Sequence, residues 1–415
     1  MTAGGDGDSG GRDSGDAMQR MQEERRACYA ACSMTRDPAF LAECRALQRA
    51  VEPFPTLEAL RASPQWPGIE ARLSRLLSTP RRHTPIAPPA PPPRPERVGA
   101  VHWNIEHGNW YEQVERALLE HPELRGADLF MFNEIDFGMA RAANREVTAD
   151  LAAALGLHGA WAPLFLETTL GRDDDVRMAA GRENQESLFG LALLSRWPIG
   201  EIRLIDLPSP DAYQFNLERM VGRHVALVAT IERPGAPFIA VSVHLEVHRT
   251  RAHRAAQMRA LLEALREEQR PLILAGDFNS HTFDRGRPWD TLVGAAVLAL
   301  SPDRALARRL LHPDHGGARE RIFDELASHG FEWERFVDRE PTLQLRFERL
   351  DEIRGFPDFA QHAVKAALAW AERRGRLRLD WFAGRGWKGG GGHTVRGLDG
   401  PGRASDHAPI VAWFE

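Results

Sequence analysis

Lysine is almost missing from this chain. Of its 53 basic residues only Lys365 and Lys388 are lysine, a bias that a GC-rich genome explains without appeal to function. A phosphate-binding loop of the P-loop kind is excluded, because Lys388 precedes Gly389–Gly392 and no Ser or Thr follows in register. Cysteine is equally scarce: Cys28, Cys32 and Cys44, an odd number near the N-terminus. That excludes a disulfide framework and leans toward a cytoplasmic setting. Cys28 and Cys32 share a helix face at i and i+4, but a metal site would need two more ligands and Cys44 offers one at most. They read as core thiols. No apolar run is long enough to span a bilayer, and the Gly/Asp-rich N-terminus has no secretory h-region. The net charge of −5 supplies no global basic field, which argues against an indiscriminate nuclease.

The 415 residues suit one large domain plus an extra segment. Residues 1–16 are Gly, Asp and Ser and are expected to be disordered. Residues 17–78 carry a broken helical stripe of two or three short helices, which need a surface to pack on, on this chain or on a partner. Residues 79–97 are proline-rich and read as an extended linker marking a domain boundary. From Val98 onward strands alternate with helices and hairpin-like links. Thr168–Glu186 reads as a surface loop. A helical insertion spans about 284–375, with helices expected around Asp303–Leu311, Ala318–His329 and Asp358–Arg374. The glycine-rich stretch Gly384–Gly402 reads as a loop, with Gly389–Gly392 as a mobile lid or substrate-contact loop near the pocket. The pattern implies two packed sheets flanked by helices.

One stretch organises the rest. Gly276-Asp277-Phe278-Asn279-Ser280 follows the apolar run Pro271–Ala275, so an acid and an amide project from a turn at a buried strand end. Similar groups sit at five other strand ends: Asn104, Glu134, His244, Asp380, and the pair Asp406 and His407. Strand ends gathered at one sheet edge are a standard place for a site. Oxygen ligands without thiolates suit Mg²⁺ or Mn²⁺ rather than zinc. The run His244-Leu-Glu-Val-His248 lacks the glutamate directly after the first histidine that a zinc protease needs. Glu106 and His107 read as a solvated turn, with a place in the site beside Asn104 as the alternative. Arg249, Arg251, Arg254 and Arg259 read as the wet side of a helix, with a track for a nucleic-acid backbone as the alternative.

In order, Trp-Asn-Ile (103–105), Asn-Glu (133–134), Ser-Val-His-Leu-Glu (242–246), Gly-Asp-Phe-Asn-Ser (276–280), Leu-Asp-Trp (379–381) and Ser-Asp-His-Ala-Pro (405–409) resemble the endonuclease/exonuclease/phosphatase (DNase I-like) superfamily, from about Val98 to the C-terminus. Gly190–Ile199 also looks like that family. The resemblance implies an α+β fold: a four-layer α/β/β/α sandwich of two mostly antiparallel sheets flanked by helices, here with a helical N-terminal extension. It also implies metal-dependent phosphoester hydrolysis. Glu134 matches the principal metal-binding glutamate, with Asn104 as a ligand or ligand-orienting amide. Asp277 matches the residue that activates or positions the attacking water, and Asn279 the amide that steadies the phosphate. His407 matches the C-terminal histidine at the phosphate, and Asp406 its neighbour that orients it or touches a metal. His244 looks like the second histidine, on the leaving-group side, with Asp380 supporting that side. Arg223 resembles an arginine that contacts phosphate in several members.

The function expected is a Mg²⁺- or Mn²⁺-dependent phosphodiesterase, nuclease-like, acting on a nucleic acid, a nucleotide or a phospholipid head group. Two alternatives stand beside it: a phosphomonoesterase on an inositol phosphate or lipid head group, and an inactive scaffold with the same fold. The intact set of acids, amides and histidines argues against the scaffold.

Overall fold

The computed structural model describes residues 37–172, 174–209, 215, 218–285, 288–345, 370, 373–400 and 402–415. The tail expected at 1–16, Cys28, Cys32 and nearly all of the helix expected at Asp358–Arg374 lie outside the described residues.

Three helices come first: α1 (Pro38–Val51), α2 (Leu57–Arg61) and α3 (Trp66–Leu77). Asp37 caps α1 by accepting the Ala39 N–H at 2.9 Å, and Pro38 stands where no amide donor is needed. There follow β1 (Arg81–His83), β2 (Val98–His107), α4 (Tyr111–Glu120), β3 (Leu129–Phe137), α5 (Val147–Leu155), β4 (His158–Glu167), α6 (Asp174–Ala179) and β5 (Leu188–Ser195). Next come β6 (Ile199–Asp206), β7 (Met220–Gly222), β8 (Val225–Ile231), β9 (Phe238–His244), α7 (Arg251–Ala264) and β10 (Leu272–Asp277). The last elements are α8 (Pro288–Leu300), α9 (Asp303–Leu311), α10 (Ile322–Ser328), β11 (Leu343–Gln344), β12 (Arg376–Leu377), β13 (Asp380–Arg385), β14 (Gly390–Thr394) and β15 (Ile410–Phe414).

Two main sheets result. The first runs β1-β4-β5-β3-β2-β15-β14, with β7 also on β4, and the second runs β13-β10-β9-β8-β6. The pairs β2–β3 and β9–β10 are parallel and the other described pairs antiparallel. Strand alternation sorts the core. On β5, Leu191 and Leu193 face the second sheet, while Ala192 and Leu194 face the helices outside. On β10, Ile273 and Ala275 point between the sheets and Leu272 and Leu274 toward α7 and α10. Strands buried on both faces must be apolar throughout, which is why these runs carry no polar side. The four-layer sandwich is the one expected.

The helices α1–α3 share one apolar core with the outer face of the first sheet: Cys44, Leu47, Leu57 and Leu73 pack in the same cluster as Phe130, Phe132 and Trp161. Burial pushes the Cys44 thiol up to about 12. Within the proline-rich stretch, Arg81–His83 pairs with Gly159–Trp161 of β4.

Three expectations are corrected. Gly389–Gly392 is no lid, because Gly390–Gly392 belongs to β14 and pairs with Ala412–Phe414. Its glycines admit close neighbours: a Cβ on Gly391 would meet the Trp413 ring at 2.3 Å, and one on Gly392 the Phe336 carbonyl oxygen at 2.0 Å. Arg254 is not on a wet helix side. It is fully buried, bonded to Glu320 at 2.6 Å and to the Phe283 carbonyl at 3.0 Å. The stretch Thr168–Glu186 carries α6, and Glu186 at its end is fully buried.

Gly392→Ala tests the glycine packing. It is expected to lower stability by about 1–3 kcal/mol in urea titration, because backbone must move to admit one methyl. Wild-type stability in this variant would mean that β14 and Phe336 are not in close contact.

Candidate active site

The site begins as one rung of the second sheet. In β10, Asp277 pairs with His244 of β9 on one side and with Asp380 of β13 on the other. Gly276 makes the close approach possible, since a Cβ there would stand 1.8 Å from the Val243 carbonyl oxygen. Past the rung the chain turns. Asn279 takes a left-handed conformation at φ 48, its N–H donates to Asp277 Oδ1 at 2.8 Å, and its side-chain amide donates to the Leu245 carbonyl at 2.7 Å.

The first sheet brings the rest. Register shifts in β2 after Asn104 and in β3 after Phe132 disturb both strand ends at the same level. Glu134 sits in the second of these irregularities at φ 50. Asn104 Nδ2 donates to Glu134 Oε1 at 2.9 Å and lies 3.4 Å from Asp277 Oδ2. Ser405 fixes the loop before β15: its hydroxyl donates to the Asn104 carbonyl at 2.7 Å and accepts the His407 N–H at 3.1 Å. Trp103 Nε1 donates to the His407 carbonyl at 2.9 Å.

His407 bridges the sheets. Its Nδ1 is 2.7 Å from Asp380 Oδ2 and its Nε2 is 3.8 Å from Asp277 Oδ2. His244 Nε2 stands 3.7 Å from Asp277 Oδ2 and 3.9 Å from Glu134 Oε1. The structure thus brings together Asn104, Glu134, His244, Asp277, Asn279, Asp380 and His407, with Asp406 half-buried beside them. Arg223 is apart: its guanidinium pairs with Asp206 and bonds the Ser78 hydroxyl at 3.0 Å.

Three residues were missed from sequence. His107 lies in the site, with Nε2 3.5 Å from Glu134 Oε2, rather than in a solvated turn; its neighbour Glu106 is buried too. The bulge after Asn104 turns this corner inward, and nothing in the local pattern announces a bulge. Asn133 stitches the sheets, accepting the Asp277 N–H at 2.7 Å and donating to the Ser242 hydroxyl at 3.3 Å. His102 reaches Asp380 Oδ1 at 2.9 Å. Its place one residue before Trp103, in a strand buried on both faces, gave no signal.

The electrostatics are unbalanced toward acid. Burial pushes the Glu134 carboxyl up to about 8, with repulsion from Asp406 and Asp277 adding to it. Burial and the Asp380 charge push Asp277 up to about 6. Burial also drives His244 down to about 3, aided by the charges of His224 and His407, so this ring is neutral at pH 7. Burial opposes a charge on His407, but Asp380, Asp406 and Asp277 carry it well above the usual histidine range. Asp277, Asp380 and His407 have donor atoms within 4.8 Å of one another. Both Asp380 oxygens are engaged by histidines, so that trio works as a hydrogen-bonded unit. Acidic crowding lies beside it, where Asp406 and Asp277 both raise Glu134. Glu134, raised by burial and by the neighbouring Asp406 and Asp277, forms with them an oxygen donor set that fits a hard divalent cation.

The family model described as the Endonuclease/Exonuclease/phosphatase family matches residues 101–407. The chain belongs to this family. Among solved structures, an endonuclease/exonuclease/phosphatase from Beutenbergia cavernae DSM 12333 is 16% identical, with 77% of this chain and 71% of that chain covered at a TM-score of 0.45. The human Nocturnin catalytic domain with bound sulfate anion is 17% identical, covering 81% of this chain and 97% of that chain at 0.40. Sphingomyelinase C from Streptomyces griseocarneus is 13% identical, covering 77% and 99% at 0.41. No curated protein matches. No helix among the described residues is long and apolar enough to cross a membrane.

Glu134 should be largely protonated at neutral pH in the metal-free protein, and a carboxylate must be deprotonated to hold a cation. Calorimetric Mn²⁺ titration is therefore expected to release protons and to tighten from pH 6 to pH 8. Glu134→Gln should weaken binding about 10-fold or more. Binding independent of both pH and Glu134 would remove this residue from the cation site.

Proposed function

We propose that the chain is a divalent-metal-dependent phosphodiesterase, with Mg²⁺ or Mn²⁺ as the ion. Family membership supports phosphoester hydrolysis. The observation that carries the diester reading is the charge at the site. Among the described residues no guanidinium is hydrogen-bonded to Glu134, Asp277 or Asp380, and His407, bonded to Asp380, is held toward its charged form by the acids around it. A monoester dianion would bring two negative charges to a cluster already rich in acids. A diester carries one negative charge fewer and suits the site better.

Glu134 and Asp406 would hold the ion, with Asn104 orienting the Glu134 carboxyl through its amide N–H; when bound, the ion offsets charge on a phosphoryl oxygen. Asp277 orients the attacking water and takes its proton; a carboxyl pushed up to about 6 is a competent base near neutrality. Asn279 has one amide hydrogen committed to Leu245 and a second to donate to a phosphoryl oxygen. His407 has its Nδ1 tied to Asp380, so its Nε2–H points toward the reacting group. It stabilises charge that grows in the transition state. Neutral His244 lies across Asp277 on the leaving-group side and donates a hydrogen bond to the departing oxygen. Arg223, held by Asp206 and Ser78, has no part in this scheme.

Hydrolysis of bis-p-nitrophenyl phosphate and p-nitrophenyl phosphate, with Mn²⁺ or with EDTA, tests the reading. The diester is expected to be cleaved, only with metal, and Asp277→Ala should reduce the rate by about 10²–10⁴-fold. Cleavage of the monoester alone would replace this reading with a phosphatase. Turnover of neither, with no Mn²⁺ binding, would favour a scaffold.

A further inference from the structure

His102 is a fully buried histidine outside the residues the family motifs mark. Its Nδ1 lies 3.0 Å from the Met131 carbonyl oxygen and its Nε2 2.9 Å from Asp380 Oδ1. A carbonyl only accepts, so Nδ1 carries a hydrogen. The contact to the carboxyl group needs a second hydrogen between Nε2 and Oδ1. On its other oxygen, Asp380 faces His407 Nδ1 at 2.7 Å. Asp380 is therefore gripped at both oxygens, by one histidine on each. The edge of the Phe382 ring packs against His102, with centroids 6.4 Å apart and planes at 89°, and fixes the ring's tilt.

We propose that His102 is a positioning residue for the reaction. It holds the Asp380 carboxyl in the one rotation that presents Oδ2 to His407, and so fixes the orientation and aim of His407 at the reacting phosphoryl group. The chain is His102–Asp380–His407, and its anchor is the Met131 carbonyl at the centre of the first sheet. This inference rests on the phosphodiesterase reading of the same site. The alternative is a histidine that only fills and satisfies the core.

Two substitutions separate these roles. His102→Asn retains a donor for Met131 but falls short of Asp380. His102→Gln places its amide donor where Nε2 stood. With a diester substrate and Mn²⁺, the asparagine variant is expected to lose about 10–100-fold in kcat with KM within about 3-fold, and the glutamine variant to recover most of that loss. In a His407→Ala background the asparagine substitution should cost little more, because the group it positions is gone. The second readout needs no turnover. In ¹⁵N-histidine NMR, the downfield proton of the His407–Asp380 hydrogen bond, assigned by its absence in His407→Ala, should persist in His102→Gln and be lost in His102→Asn. Equal behaviour of the two variants, or the same cost with and without His407, would overturn the proposal. Should the wild type hydrolyse nothing, the NMR comparison decides alone, so the positioning role and the phosphodiesterase reading fail separately.

Discussion

A carboxylate with no exposure to water is costly unless both oxygens find donors. Asp380 is such a group, and its donors come from outside its own sheet: His102 from β2 and His407 from the turn into β15. Burial raises the cost of its charge, but the two histidines reverse the balance and hold the group below the usual carboxylate range. The same logic governs Asn133, whose side chain serves the Asp277 amide and the Ser242 hydroxyl of the opposite sheet. Most of the space between the sheets is filled by Met131, Leu191, Leu227, Phe382 and their neighbours, which pack without directional preference. The polar ties at one edge supply that direction. They fix how the two sheets slide against each other, and so where the Asp277 rung of one sheet stands over the bulged strand ends of the other.

That alignment has a consequence for charge. A rung holding two acids and a histidine, faced by Glu134 and Asp406, cannot be neutral in a buried setting. The strain appears as carboxyls displaced upward at Glu134 and Asp277, while His407 is displaced upward in the opposite sense, toward its charged form. Titratable groups driven apart by their surroundings divide the labour of acid, base and ligand. Here the division follows position. Each Asp380 oxygen meets a histidine, while Glu134, beside Asp406 and Asp277, is pushed up to about 8.

The parts legible in the sequence were those set by short-range chemistry. Gly276 ends an apolar strand where only a residue without Cβ can approach Val243, so the Asp277–Asn279 turn could be read from five letters. The other strand-end acids and histidines were legible for the same reason, and their order was enough to expect the sandwich. What escaped depended on long-range register. His102 sits in a run of buried residues and gains meaning only because Asp380, 278 positions away, lies opposite. His107 is turned inward by a bulge, which exchanges the faces of every later residue. The glycines of β14 suggested a loop by composition, yet they form a strand because Trp413 and Phe336 occupy the volume their side chains would need. Arg254 fitted a helix face rich in arginine, and no local pattern distinguishes the one arginine that meets a buried glutamate.

Arg254 also explains how the helical segment after β10 joins the site. Its guanidinium is shared by Glu320, the Arg249 and Phe283 carbonyls and His281 Nε2. Glu320 in turn accepts the Thr282 N–H at 2.8 Å, and Arg309 of α9 bonds the Thr282 hydroxyl and carbonyl, each at 2.9 Å. The loop that leaves Asn279 is thus clamped between α7 and the segment carrying α9 and α10. Removing one partner of a buried ion pair typically costs about 3–5 kcal/mol, because the other charge is stranded. The clamp therefore contributes strongly to holding the loop after Asn279 in place. A segment that reads as an insertion on the fold is, in its contacts, part of the frame that holds the turn after Asn279.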